Sequence, residues 1–308
     1  ALNLAKEMGN MEEEVKCLMR LGLMFWNIGE LKESSDRYKQ ALLLAKKSNI
    51  QDKQEECQNA LKIYLLYEEA KKMRDEYGEY QKSIEIFQQA IQLAEKIGSR
   101  EHEVKCLRQL SSTYFDLNKL EELFSACNKA LIFARSLNLK KEIGRCLNNI
   151  GIYYWKLDNH SKALTYFKDA LQIAEEEKNE ENEIACLINI GLIYQEVGGY
   201  ERALEFLLKA LSISKKIGFQ LYTPGNLNSI GETYRRIGYV SGKKEDFDKA
   251  LSYFKECLNL ARKIGSKQME VHALNNIGFL CVDLGKFDEA LEYFQLGLET
   301  AEELQDIK

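Results

Sequence analysis

Apolar residues recur along this chain at intervals of three and four on both sides of short polar breaks, the spacing of α-helices that each bury one face. Leu147, Ile150, Gly151 and Tyr154 share a helical face, Asp158, Asn159, His160 and Ser161 interrupt it, and Ala163, Phe167 and Ala170 resume it. Interrupting side chains of this kind hydrogen-bond the local backbone and start a new helix, so the stretch predicts a helix pair, A then B. A small residue returns in the helix B frame at Ala1, Ala41, Ala90, Ala130, Ala170, Ala210, Cys257 and Gly297, in steps of 40, 49, 40, 40, 40, 47 and 40 residues. A fixed period is the mark of a repeat array. A side chain no larger than a methyl or thiol at one recurring place predicts close helix contact there. Eight positions further on stands Gly9, Asn49, Gly98, Asn138, Gly218 or Gly265, and these residue types enter the left-handed conformation at low cost, which predicts the end of helix B. Lys178 and Gln305 break this column, and Asn179, one residue late, is expected to serve in place of Lys178.

The predicted fold class is therefore all-α, an α-solenoid of tandem antiparallel helix pairs. An N-terminal half-repeat, 1–10, precedes seven repeats at 11–50, 51–99, 100–139, 140–179, 180–219, 220–266 and 267–308, expected to form a single solenoid over 1–308. Two repeats break the period. Seven extra residues around Tyr239 to Glu245 either lengthen helix A by about two turns or form a loop, which Gly238 and Gly242 favour. Nine extra residues within Tyr67 to Tyr77 contain no breaker and predict continuous helix, a candidate contact element or a decoration. No polar capping helix stands at either end, so the chain is expected to be a segment of a longer protein.

The repeats carry Leu18-x-x-Leu21-Gly22-x-x-Phe25, Leu147-x-x-Ile150-Gly151-x-x-Tyr154, Leu187-x-x-Ile190-Gly191-x-x-Tyr194, Leu227-x-x-Ile230-Gly231-x-x-Tyr234 and Leu274-x-x-Ile277-Gly278-x-x-Cys281 on helix A. Ala163/Phe167/Ala170, Ala250/Phe254/Cys257 and Ala290/Phe294/Gly297 answer on helix B. This pattern resembles the tetratricopeptide repeat family, over nearly the whole chain. The period is 40 rather than about 34, and the family's proline after helix B is absent. Both helices are thus expected to be longer, as in the long variant of bacterial multidomain regulators and of scaffold and motor-adaptor proteins.

The resemblance implies a right-handed superhelix whose helices A line a concave groove. Carried over by position, one groove column is Trp26, Leu66, Phe115, Trp155, Gln195, Arg235 and Val282, and the column three residues earlier includes Ile152, Leu192 and Phe279. Tryptophan and arginine are frequent binding anchors, although longer helices that pack more tightly would bury the same residues as core. Asn59, Asn148, Asn228 and Asn275 share a groove-facing position, where an amide offers a peptide backbone both donor and acceptor. Lys16, Lys105, Arg108, Arg145, Lys156, Arg235 and Arg236 add positive charge on that side and suit a ligand with acidic residues. The adjacent Asn149, Asn189 and Asn276 are expected to bond between helices.

Composition narrows the function. Lys and Arg number 43 against 48 Asp and Glu, a net charge of −5, which disfavours a phosphate backbone as partner. His102, His160 and His272 fall at unrelated repeat positions, and no Cys-x-x-Cys or His-Glu-x-x-His spacing occurs, so no metal, cofactor or active site is expected. Gly238 to Lys244 is one residue short of a phosphate loop and lacks its Ser or Thr. Cys17, Cys57, Cys106, Cys146 and Cys186 recur by repeat rather than by pair, which predicts reduced, buried thiols and a cytoplasmic setting. No apolar run suits a membrane span. The expected function is non-catalytic binding of a peptide or protein segment in the groove. The alternative is a sensor or regulatory arm of a larger protein, engaging another domain of the same polypeptide.

Overall fold

A computed structural model of the protein describes residues 2–220 and 222–306, with the side chains of 304–306 left aside. Ala1, first of the small-residue column, and Lys308 lie outside the described residues. The described residues form helices and no strand, arranged as an α-solenoid of tandem antiparallel helix pairs.

The chain divides into two compact units, Ala1–Tyr153 and Tyr154–Lys308. The first holds α1 (Leu2–Glu7), α2 (Met11–Ile28), α3 (Leu31–Lys47), α4 (Gln51–Asp75), α5 (Tyr80–Lys96), α6 (Arg100–Asp116), α7 (Leu120–Ser136) and most of α8 (Lys140–Lys156). Within it α2 pairs with α3, α4 with α5 and α6 with α7, and α1 packs on α2, α3 on α4 and α5 on α6. The second holds α9 (His160–Glu176), α10 (Glu180–Glu196), α11 (Tyr200–Ile217), α12 (Thr223–Ser241), α13 (Lys244–Ile264), α14 (Lys267–Asp283) and α15 (Phe287–Asp306). Its pairs are α10 with α11, α12 with α13 and α14 with α15.

The small residue of helix A has a steric cause. A methyl added at Gly22 would stand 3.0 Å from the Tyr38 ring, and one at Gly191, Gly231 or Gly278 would stand 2.7, 2.6 or 2.7 Å from Leu207, Phe254 or Phe294. Ordinary van der Waals contact needs about 3.5–4.0 Å, so each glycine admits a large side chain of its partner helix B. On helix B the small column Ala41, Ala90, Ala130, Ala170, Ala210 and Cys257 is wholly buried. All eight cysteines are free thiols, and burial pushes those of Cys57, Cys106 and Cys186 up to about 12, which leaves them protonated and inert.

The left-handed column behaves as its residue types predict, with φ between 52° and 73° at Gly9, Asn49, Gly98, Asn138, Gly218 and Gly265. Lys178 corrects the expectation: it takes φ 51° itself, while Asn179 caps the next helix by accepting from the Asn182 N–H. The turn imposes the conformation even on a residue that resists it.

The insertions are helical. α12 runs through Gly238 to Ser241 and ends at Gly242, φ 68°, and α13 starts at Lys244, so the extra residues lengthen both helices of the pair. Gly238, which favoured a loop, instead lets Phe247 approach to 3.0 Å of the place a methyl would take. α4 continues unbroken to Asp75, and Arg74 on its added turns donates to the Gln109 side-chain oxygen on α6 at 3.2 Å.

A left-handed L-residue costs about 1–2 kcal/mol, partly offset by the entropy of a glycine. Lys178→Gly is therefore expected to stabilise the protein by about 0.5–1 kcal/mol. Equilibrium urea unfolding checks this, and an unchanged or lowered midpoint would argue that the turn carries no strain.

Candidate functional site

In the first unit the helix A residues converge on one buried carboxylate. Arg108 Nε donates to Glu142 Oε2 at 2.7 Å and Arg145 Nη1 to Glu142 Oε1 at 3.3 Å. The Glu142 side chain is only 3% exposed. Burial pulls its carboxyl up, but Arg108, Arg145 and Lys105 together outweigh that and hold it below its ordinary value.

Lys105 is the unusual member. The residue is 3% exposed, and its Nζ stands 5.3 Å from the Trp26 ring centroid, with no hydrogen-bond acceptor or carboxylate at ion-pair distance among the described residues. Burial takes its ammonium down to about 7, Glu142 restores part of that, and Arg108, Arg145 and Lys141 oppose the restoration. Buried cations are normally paired, so Lys105 is short of a counter-charge.

Trp26 anchors the far side of the cluster. It is wholly buried, 4.9 Å from the Tyr67 ring and 4.8 Å from His102, and its indole N–H has no partner. The expectation that Trp26 lines an open groove is corrected: α4 and α6 close over it, and it supplies a wall for Lys105. His102 shares a 2.6 Å hydrogen bond with Ser99 Oγ through Nδ1, leaves Nε2 unpartnered, and is held neutral by burial and then Lys105, down to about 3. Gln109 Nε2 donates to the Tyr67 hydroxyl at 3.0 Å, joining the added turns of α4 to this network. Asn59, Leu66 and Ile152 are half-buried, and Phe115 is exposed at the edge of α6. Asn149 donates to Ser111 Oγ at 3.1 Å, an inter-helix bond of the kind its column predicts. Asn148 is half-buried and engaged.

In the second unit the predicted residues are mostly tied to their neighbours. Trp155 Nε1 donates to Glu196 Oε2 at 2.6 Å, and His160 Nε2 lies 3.1 Å from the same oxygen. Arg235 is held by Glu232 on its own helix and by Asp283 on α14. Asn276 donates to Asn228 Oδ1 at 2.8 Å, so the expected inter-helix and groove columns bond to each other. Asn275 departs from its expected direction, because its side-chain oxygen packs 2.9 Å from where a methyl on Gly297 of α15 would be. The glycine in the helix B small column admits the amide toward helix B. Leu192 is half-buried, and Lys156, Phe279 and Val282 are exposed.

Sequence reasoning placed Arg108 and Arg145 on one face but passed over Glu142, His102, Tyr67 and Gln109. The signal was the period, since Arg108 and Glu142 are 34 apart, Trp155 and Glu196 are 41 apart, and Asn228 and Asn276 are 48 apart, each close to one repeat. No group of metal-ligating side chains is found among the described residues, and none of their helices is long and apolar enough to cross a membrane.

The sequence profile described as tetratricopeptide repeat matches residues 107–176, 142–216 and 229–303, together more than half of the chain. No curated protein matches in sequence. Among solved structures, the signal transduction ATPase with numerous domains PH0952 of Pyrococcus horikoshii, which has a tetratricopeptide repeat sensor, aligns at TM-score 0.62 and 17% identity, over 98% of this chain and 43% of that one. A Rap protein complexed with competence and sporulation factor aligns at 0.59 and 14%, over 99% and 100%. Aspartyl phosphate phosphatase F of Bacillus subtilis aligns at 0.58 and 16%, over 97% and 87%. At these identities the likeness is one of fold.

Lys105 generates a stability prediction. Its folded pKa lies below the unfolded one, so the penalty is in full force below about pH 7 and is relieved as pH rises toward the ordinary lysine value. Lys105→Met is expected to stabilise the protein at pH 6.5 by about 1–3 kcal/mol, with the gap to wild type narrowing by pH 9.5. Chemical denaturation at the two pH values checks it, and a gap that is absent or independent of pH would show that the ammonium is solvated.

Proposed function

The chain belongs to the tetratricopeptide repeat family, and from that premise we propose that it is a non-catalytic interaction module binding a peptide or protein segment along the exposed faces of its helices A. The observation that carries this reading is Lys105 in the first unit, a cation buried against Trp26 beside Arg108 and Arg145, with no carboxylate at ion-pair distance among the described residues. A perturbed, incompletely paired cation is a mark of a functional site. The ligand that suits it is a segment with acidic residues beside apolar ones. Phe115 supplies exposed apolar surface on α6, at the edge of the same helix that bears Lys105 and Arg108. The solved Rap protein in complex with competence and sporulation factor supports a fold of this kind holding a ligand.

A second reading has its own support. The Pyrococcus horikoshii protein carries a repeat region named as a sensor, and this chain spans less than half of that protein's length. The same helix A faces would then engage a domain of the same polypeptide.

Selection of short random peptides displayed on phage against the intact chain tests the proposal. Acidic peptides are expected to be enriched and to bind Arg145→Gln about tenfold more weakly, with the variant's unfolding midpoint measured alongside. Failure to enrich any peptide, or equal affinity for wild type and variant, would contradict it.

A further inference from the structure

The turn between α11 and α12 is unlike the others. Elsewhere the junctions from helix B to the next helix A span two or three residues, such as 97–99 or 265–266, whereas here they span five, 218–222. The longer turn holds the Phe219 and Tyr222 rings 5.6 Å apart and edge to face, and the Thr223 hydroxyl donates to the Phe219 carbonyl. Beside it opens a cavity of about 410 Å³, within the second unit and among the C-terminal parts of two helices B, away from the helix A faces. That volume falls in the range of small-molecule sites, about 300–1,000 Å³.

The walls of this cavity are chemically incomplete. Ser214 lines it, is 1% exposed, and has a hydroxyl with no hydrogen-bond partner. A buried hydroxyl in that state is costly, so an acceptor brought within its reach would be stabilising. Phe219 and Leu260 supply apolar wall, and Asn259 and Gln220 supply amides. Of the two cationic lining residues, Lys215 pairs with Glu256 at 2.7 Å, while Lys263 has no carboxylate at ion-pair distance among the described residues. α12 begins at this wall with no side-chain cap and with a proline in its first turn, so its amino-terminal dipole is unanswered.

We infer that this cavity binds a small organic anion with an apolar body, such as an aryl carboxylate, independently of any ligand on the helices A. The ring lies against Phe219 and Leu260, the carboxylate faces Lys263 and the start of α12, and Ser214 donates its hydroxyl to the bound molecule.

Calorimetric titration with 2-naphthoate and with uncharged 2-naphthamide tests the assignment. Wild type and Arg145→Gln are expected to bind one naphthoate saturably and alike, with naphthamide and the Lys263→Glu variant each at least about tenfold weaker. Leu260→Trp, which fills the cavity, is expected to abolish binding. Lys263 is exposed, so that variant tests the inference even if Leu260→Trp fails to fold. No saturable naphthoate binding, equal affinity for naphthamide, unchanged binding to Lys263→Glu, or loss confined to Arg145→Gln would each overturn it.

Discussion

The rest of the structure depends on a close approach, the seating of a helix B side chain in the notch left by a glycine on helix A. Phe254 in the notch of Gly231, and Phe294 in that of Gly278, draw two helices together far enough that their remaining apolar faces close the core. Interiors pack near crystal density, so a methyl at that point would have to displace a ring with nowhere to go. Once the pair is set, the short turns follow, and they force a left-handed residue at a fixed place whether the chain supplies glycine, asparagine or Lys178.

That constraint acts at the notch and leaves other helix A positions to carry chemistry that an apolar core rejects. Lys105 illustrates the division. On grounds of stability alone a methionine would suit its position better, because the ammonium is buried against Trp26 with Glu142 already engaged by two arginines. The proposed binding of an acidic segment gives this cation a counter-charge that the fold itself does not place beside it. In the second unit Arg235 already has its counter-charges, held between Glu232 and Asp283.

The fold was legible because its determinants repeat. The three-and-four spacing, the small-residue columns and the turn residues each recur several times, so a single exception such as Lys178 in the turn column did not obscure the pattern. The site was less legible because its determinants occur once. Trp26 shares a column with Trp155, yet α4 and α6 bury the former while the latter reaches Glu196. Position within the repeat sets the direction of a side chain; the neighbouring repeat decides whether it stays open. Asn275 shows the same limit, since its direction is set by the single Gly297 opposite. The cavity beside Ser214 had no sequence signal beyond the lone proline and a longer turn.

The most direct test of the central claim is hydrogen–deuterium exchange of the intact chain with and without a saturating acidic peptide selected on it. Slowed exchange concentrated in α6 and α8, with the helices B of the first unit little changed, is the predicted result. Protection confined to helices B, or spread evenly over both members of each pair, would contradict the assignment of ligand binding to the helix A faces.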